Sequence, residues 1–150
     1  MLYKCKKKMI FQLCYASTST SEKSYLPLDL REVLNEAHHF NYVNNIHGVL
    51  YFADGYFFQC LEGEQSVILE LLDKIKKDPR HHQIYIFNPQ RISQGHFKDW
   101  SMKFVRKNSQ VSEFFQQHLQ QAEFNPYLLN EGLIAALIPL LADIQMDEVA

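Results

Sequence analysis

The feature that most constrains the fold of this chain is a hairpin signal near its middle. Segments 47–52 and 56–61 are rich in Tyr, Phe, Val and Leu, and they flank Ala53-Asp54-Gly55. Such residues favour β-strands. Asp-Gly suits the tight turn between paired strands, because glycine adopts a positive φ without strain. The sequence therefore predicts two adjacent antiparallel strands around which the rest of the chain packs.

Two amphipathic helices and three further strands are predicted around this hairpin. Apolar residues at helical spacing indicate helices over about 27–40 and 68–75. The short apolar runs 9–15, 83–87 and 101–105 are typical of strands. The resulting order predicts an α+β, ferredoxin-like βαββαβ(β) sheet with both helices on one face.

The last third of the chain has a helical pattern. Val111, Phe114, Phe115 and Leu119 lie at helical spacing, and Ser109 is a candidate N-cap. A further helical segment is predicted over 124–146. We expect these helices to pack on the face of the sheet that the first two leave open.

The positively charged residues of the 150-residue chain are confined to the part before the predicted C-terminal helices. All 15 Lys and Arg residues lie at or before Lys107, although the net charge is only −2. The sequence indicates a basic lead-in at 1–8, a core domain at 9–105 and a C-terminal helical cap or output segment at 106–150. Such a small net charge does not favour direct nucleic-acid binding. The longest apolar run, 133–142, is too short for the roughly 20 residues of a membrane-spanning helix.

Common catalytic and metal-binding signatures are missing from the sequence. The three cysteines form no CxxC pair, and their odd number favours reduced thiols and a cytoplasmic location. The histidine pairs 38–39 and 81–82 are adjacent in sequence, and neighbouring side chains point in different directions. We therefore predict no metal site.

Gln59 is a polar residue inside an apolar strand. Strand alternation places it on the same face as Phe57 and Leu61, and opposite Phe58 and Cys60. A buried amide without a partner costs roughly 1–3 kcal/mol. Gln59 therefore either faces solvent or has a buried partner and a functional role, and the pattern leaves both open.

Four segments together resemble the BLUF domain, a flavin-binding sensor of blue light. They are LCYAS in the first strand, the hairpin IHGVLYFADGYFFQCLEG, IKKDPRH at the end of the second helix, and HFKDWSMKF at the last strand. The likeness covers about residues 9–105, and the family has the ferredoxin-like fold predicted above. The resemblance implies that FAD, or alternatively FMN, is bound non-covalently between the two helices.

The resemblance also implies a photoactive set of four residues. Tyr15 matches the light-active tyrosine that gives an electron and a proton to the excited flavin. Gln59 matches the glutamine that lies between that tyrosine and the flavin and rearranges its hydrogen bonds. Trp100 and Met102 match a pair proposed to exchange places near the glutamine.

The cofactor-binding residues that the resemblance implies lie on both helices and on the sheet. Asn41 matches the asparagine that hydrogen-bonds the pyrimidine edge of the flavin ring. Lys74, Asp78 and His81 match positions at the ribityl and phosphate end. The full set is Tyr15, Val33, Asn41, Phe57, Gln59, Lys74, Ile75, Asp78, His81 and Met102.

Several of these residues also have a purely structural interpretation. Tyr15 can end a strand with a solvated hydroxyl, and Asn41 can be a helix C-cap. His81 can lie at a helix end, where the helix dipole favours a cation. Trp100 and Met102 can pack in the core without a further role, and Lys74 can be a solvated surface residue.

Two positions depart from the family pattern. Asn45 stands where the family's GITG segment has its first glycine, although asparagine tolerates a positive φ. Phe40 stands before Asn41, where a polar residue is frequent. The photoactive residues are nevertheless all present, so we expect photochemistry.

Together these features predict a blue-light photoreceptor that signals from Tyr15 and Gln59 to a light-dependent protein–protein interaction. We expect no enzyme, because the 45 residues after Val105 are too few for a catalytic output domain. The expected partner is a regulatory protein, with a transcription factor as one candidate, or a second copy of the chain. The alternative is a flavin-binding regulator that senses redox state or temperature, with little role for light.

Overall fold

The computed structural model describes residues 8–145, so the predicted lead-in up to residue 7 and the predicted helix end at Met146 lie outside the described residues. The strands are β1 (Ile10–Ser19), β2 (His47–Ala53), β3 (Tyr56–Gly63), β4 (His81–Ile86), β5 (Gln90–Ile92) and β6 (Lys103–Arg106). The α-helices are α1 (Leu26–Val43), α2 (Gln65–Lys76), α3 (Ser109–Leu119) and α4 (Glu131–Asp143). A short 3₁₀ helix, Pro126–Leu128, precedes α4.

The strands form one mixed sheet in the order β4-β1-β3-β2-β6, and β5 also pairs with β1. β1 and β2 both pair antiparallel with β3, whereas β6 runs parallel to β2. This arrangement confirms the predicted α+β, ferredoxin-like fold. The three-residue strand β5 was not predicted, and the last strand begins two residues later than the sequence indicated.

The central hairpin forms as predicted. Asp54 and Gly55 connect β2 to β3 with φ angles of 54° and 86°. Positive φ at both central residues matches the right-handed twist of the flanking strands. The turn therefore fixes a register in which Leu50 pairs with Gln59.

The sheet separates two apolar cores. On one face, buried residues of α1 and α2 such as Leu34 and Ile68 pack with Phe57 of β3. On the other face, α3 and α4 pack against Phe58 through residues that include Phe115. Strand alternation sends neighbouring residues to opposite cores. The predicted placement of the two helix pairs on opposite faces is therefore confirmed.

Two candidate cap residues do not cap their helices. The N-cap of α3 is Asn108, not Ser109, because the Asn108 side chain accepts a hydrogen bond from the backbone N–H of Gln110 at 2.7 Å. α1 continues to Val43, so Asn41 lies in its last turn and is not the C-cap. The chain leaves this helix at Asn45, whose φ of 54° is the left-handed conformation that asparagine tolerates.

A close backbone approach at Gly48 provides a test of this packing. A Cβ atom at Gly48 would overlap the backbone carbonyl oxygen of Cys60 on the neighbouring strand. We expect Gly48→Ala to lower the free energy of unfolding by roughly 1–3 kcal/mol, as overpacking usually does. Urea unfolding followed by circular dichroism measures this change.

Gly132→Ala is the matched control for Gly48→Ala. A Cβ atom at Gly132 would lie 3.5 Å from Asn130 Oδ1, an ordinary contact, and alanine favours a helix. We expect stability to be unchanged or slightly higher. Equal destabilisation by both substitutions would contradict the assigned register.

Candidate functional site

A cavity of about 380 Å³ lies between α1, α2 and the sheet. Its size falls within the roughly 300–1,000 Å³ of typical small-molecule sites. The structure brings nine of the ten predicted cofactor-binding residues to its lining. The exception is Met102, which contacts the lining residue Gln59. The nine are Tyr15, Val33, Asn41, Phe57, Gln59, Lys74, Ile75, Asp78 and His81.

Tyr15 and Gln59 lie side by side on the sheet side of the cavity, as a directly opposed pair on β1 and β3. Both are buried, which excludes a solvent-facing Gln59 and a solvated Tyr15 hydroxyl. The Tyr15 hydroxyl donates a hydrogen bond to Gln59 Oε1. Burial, with a smaller contribution from the negative charge of Asp78, raises the pKa of Tyr15 well above its ordinary value. Tyr15 therefore keeps its proton and acts as the donor.

The other end of the Gln59 amide faces Met102. Gln59 Nε2 donates to Met102 Sδ at 3.7 Å, and Met102 is fully buried. A thioether sulfur is a weak acceptor. Trp100 does not line the cavity, and Lys103 Nζ lies 5.6 Å from the centre of its ring. Met102, rather than Trp100, is therefore the residue of this pair that contacts the glutamine.

Asn41 carries an unsatisfied polar atom at the cavity wall. Its Nδ2 donates to the backbone carbonyl of Ser101 at 2.7 Å, which ties α1 to the segment before β6. Its Oδ1 is buried, and no donor in the described part of the chain reaches it. Such an acceptor costs roughly 1–3 kcal/mol unless it is paired. Because Asn41 lines the cavity, a ligand with an N–H or O–H group bound there is a candidate partner for this acceptor.

An ion-pair network lies at the end of the cavity nearest β4. Arg80 donates from Nε and Nη2 to Asp78 at 2.9 and 2.6 Å, and from Nη2 to Glu36 at 2.9 Å. Burial favours the neutral acid, but the hydrogen bonds from Arg80 outweigh it and lower the pKa of Asp78. The same bonds raise the pKa of Arg80. Both groups are therefore charged at neutral pH.

His81 and Lys74 complete this end of the cavity. His81 Nε2 lies 2.7 Å from the backbone carbonyl of Ile75, and because a carbonyl only accepts, Nε2 carries a proton. His81 Nδ1 lies 2.8 Å from Ser17 Oγ. Lys74 Nζ lies 4.4 Å from the centre of the Phe40 ring. His81 is thus fixed in orientation, whereas exposed Lys74 remains available at the rim.

Sequence reasoning missed seven of the lining residues. Three of those on α1 lie at i+3, i+4 and i+7 from Val33, so the helical period could have found them. Arg80 lies within the DPRH segment that carries part of the resemblance, but its pairing with Glu36 is a tertiary contact. The seven are Glu36, Ala37, His39, Phe40, Leu50, Leu71 and Arg80.

Residues 8–145 contain neither a cluster suited to a metal ion nor a membrane span. No group of three or more His, Cys, Asp and Glu side chains there could hold a metal ion. None of the helices in this range is long and apolar enough to span a bilayer.

The family model named BLUF, sensors of blue-light using FAD, matches residues 10–103. The ground-state structure of BlsA is 41% identical, with a TM-score of 0.89 over 94% of this chain and 93% of BlsA. Its photo-activated structure gives a TM-score of 0.88 and the same identity, over 93% of this chain and 99% of that structure.

The likeness extends to part of a longer protein. The photoactivated adenylate cyclase subunit beta of Euglena gracilis is 30% identical over 92 residues, which are 61% of this chain. The chain spans only 11% of that cyclase subunit. With the matched family model covering most of the sheet and both helices of the cavity, this chain belongs to the BLUF family of blue-light sensors.

Proposed function

We propose that this chain is a blue-light photoreceptor that holds FAD in the cavity between α1, α2 and the sheet. The observation that carries the proposal is the buried, unpaired Oδ1 of Asn41. The ring edge of a flavin presents an N–H flanked by two carbonyl groups, so an amide oxygen is a suitable acceptor for it. A bound flavin would remove the cost of this orphaned acceptor.

The walls of the cavity suit a flat aromatic ring with a charged tail. Val33, Phe57 and Ile75 supply apolar surface. Lys74 supplies positive charge at the exposed rim, where phosphate groups would be held. Arg80 also lines the cavity, but its charge is already paired with Asp78 and Glu36. The matching family is described as using FAD, and we propose FAD, with FMN as the alternative.

The bonded pair of Tyr15 and Gln59 suits light-driven electron and proton transfer. A bound flavin supplies an electron acceptor when it absorbs blue light. Tyr15 would supply the electron, and its hydroxyl proton would move along the hydrogen bond to Gln59 Oε1. Gln59 would then exchange the ends that face Tyr15 and Met102, and return of the electron and the proton would restore Tyr15.

The output route that we propose runs from Met102 to α4. Lys103, the first residue of β6, directly follows Met102 in the sequence. Its Nζ donates to the backbone carbonyl of Ala142 at 2.8 Å. Burial lowers the pKa of Lys103, while the negative charge of Asp143 opposes that shift. A change at Met102 therefore has a direct contact through which to alter how α4 is held.

We propose that α4 and its surroundings form a light-dependent association surface. The exposed face of α4 carries Ala135, Ala136 and Pro139, which are small and apolar. The partner is a regulatory protein, with a transcription factor as one candidate, or a second copy of the chain. In this proposal the chain signals by association and not by catalysis.

Absorption spectra of the purified, flavin-loaded protein before and after blue light test the proposed function. The proposal predicts a yellow protein whose flavin absorption shifts to the red and relaxes in darkness. A colourless protein that takes up no added flavin contradicts it. A yellow protein without a shift contradicts the light role and favours a redox-sensing flavoprotein.

The Gln59→Leu variant tests the switch itself. Leucine cannot exchange donor and acceptor ends, so we expect flavin to bind while the red shift is lost. Light-minus-dark absorption spectroscopy measures this loss. Gln12→Leu is the control, because Gln12 is also buried in the sheet but donates to Glu62 on the opposite face. A normal red shift in Gln59→Leu would contradict the assigned role.

The Asn41→Ala variant tests the ring edge. Loss of the buried acceptor should weaken flavin binding by roughly 1–3 kcal/mol, measured by flavin titration. Asn44→Ala is the matched control, because the Asn44 side chain donates to the carbonyl of Phe40 at 2.9 Å and does not line the cavity. Equal affinities for the two variants would place the flavin elsewhere.

The Lys103→Met variant tests the output route. Removal of the 124–145 segment is not a clean test, because it deletes core residues such as Phe124 and Leu137. Lys103→Met keeps a side chain of similar length but removes the bond to Ala142, together with the positive charge near Trp100 and Asp143. We expect the red shift to remain while the light-dependent change in hydrogen exchange across α4 is lost.

Lys107→Met is the control for this experiment. Lys107 lies four residues further along, is exposed, and pairs with Asp54 at 2.7 Å instead of contacting α4. It should leave the light-dependent exchange of α4 unchanged. An unaltered light response of α4 in Lys103→Met would disprove the proposed route.

A further inference from the structure

Two cysteines face each other directly behind the Tyr15–Gln59 pair. Cys14 on β1 is paired in register with Cys60 on β3, one residue away from Tyr15 and Gln59 respectively. Both thiols are free and buried. Because side chains alternate along a strand, the two cysteines lie on the face opposite the flavin cavity. The proposed photochemistry does not use them.

The backbone pattern shows what kind of cross-strand pair these cysteines form. The carbonyl of Cys14 accepts a hydrogen bond from Phe87 N–H at 3.0 Å, so the backbone polar groups of Cys14 point away from β3. Cys14 and Cys60 are therefore a non-hydrogen-bonded pair, the type whose Cα atoms are about 4.5 Å apart and whose side chains approach most closely. That separation lies within the range of about 4.4–6.8 Å that a disulfide spans.

A second cavity gives access to one of the two thiols. It has a volume of about 490 Å³, lies between β1, β5 and α4, and has Cys14 in its wall. Its lining includes Asn88, Gln90 and Arg91, which are exposed. Cys14 is 5% exposed, so this cavity is the route by which a small solute would reach it. Cys60 lies behind Cys14 with no exposed surface.

We propose that Cys14 and Cys60 form a reversible redox site, which a peroxide entering through this second cavity oxidises to a disulfide. The Cys14 sulfur attacks a peroxide oxygen, so that an S–O bond forms, the O–O bond breaks and water leaves with the thiol proton. The Cys60 sulfur then attacks Cys14, so that the S–S bond forms, the S–O bond breaks and a second water leaves. The two thiols lose two electrons and two protons, and hydrogen peroxide is reduced to two waters.

The environment of Cys60 favours this order of events. Burial raises the pKa of Cys60, and its neighbours Cys14 and Glu62 raise it further. Cys60 is therefore a protonated thiol at neutral pH, and protonated thiols are poor nucleophiles. It also has no exposed surface, whereas Cys14 lines the second cavity, so it reacts second, when Cys14 has already been oxidised beside it.

A disulfide at this position would act on the site described above. It would fix the distance between β1 and β3 one residue away from the Tyr15–Gln59 hydrogen bond. The redox site rests on strand register and cavity access alone, so it stands or falls independently of the proposed photochemistry.

Peroxide treatment of the full chain in darkness tests the proposal. Cys5→Ser serves as the background, because it leaves Cys14 and Cys60 as the only thiols. After treatment of the folded protein, denaturation and alkylation, we expect a mass loss of two hydrogens and a cross-linked peptide that contains both cysteines. A dithiol reductant should restore two alkylatable thiols. Two alkylatable thiols after treatment, or oxygen added to one cysteine without a cross-link, would overturn the proposal.

Two further variants in the same background separate the bridge from its access route. Cys60→Ala should give no cross-link. Ala135→Phe places a large side chain in the lining of the second cavity at an exposed position, and should slow cross-linking severalfold. Unchanged kinetics in Ala135→Phe would overturn the entry route. The parent protein alone decides whether the disulfide forms, so the test does not depend on either variant folding.

Discussion

The hydrogen bond from the Tyr15 hydroxyl to Gln59 Oε1 is the interaction on which the rest of the site depends. It is buried, and burial raises the pKa of Tyr15, so the phenol keeps the proton that it donates to the amide oxygen. That direction forces the Gln59 amide to turn its donor end towards Met102. The two contacts from Tyr15 through Gln59 to Met102 therefore run in one direction.

The sheet separates the cavity proposed for the flavin from the helices proposed for output. Residues that line this cavity alternate along β1 and β3 with residues that pack against α3 and α4. Asn41, which lines the cavity, has a buried Oδ1 that no hydrogen-bond donor in the described part of the chain reaches. An unpaired buried acceptor lowers stability, and a ligand that supplies a donor recovers that loss on binding. The unpaired Oδ1 of Asn41 therefore favours binding of a ligand that donates a hydrogen bond to it.

Sequence patterns predicted the features that depend on local periodicity. The positive-φ turn at Asp54 and Gly55 fixed the hairpin, and alternation correctly placed Gln59 with Phe57 and Leu61. The βαββαβ order then gave the fold class, because few arrangements bury both helix faces on one sheet. The candidate residues came from the family resemblance, and the structure brings all but one of the predicted cofactor-binding residues to one cavity.

Features that depend on tertiary contacts were not predictable in this way. Strand β5 has three residues and exists only because it pairs with β1. Asn108 caps α3 in place of Ser109, and Asn41 does not cap α1, since hydrogen bonds, rather than residue type, decide which residue caps a helix. The hydrogen bond from Arg80, just before β4, to Glu36 in α1 joins residues that are 44 positions apart in the sequence. Side-chain packing likewise determines that Met102, rather than Trp100, contacts Gln59.

The most direct test of the account follows the Gln59 side chain itself during illumination. Light-minus-dark infrared spectroscopy of the flavin-loaded protein, with carbon-13 in the glutamine side-chain carbonyls, detects changes in the hydrogen bonding of those carbonyls. The account predicts one label-sensitive carbonyl band that shifts under blue light, returns in darkness and is missing from Gln59→Leu. A light-induced flavin signal with no label-sensitive band would contradict the central role of the Tyr15–Gln59 hydrogen bond.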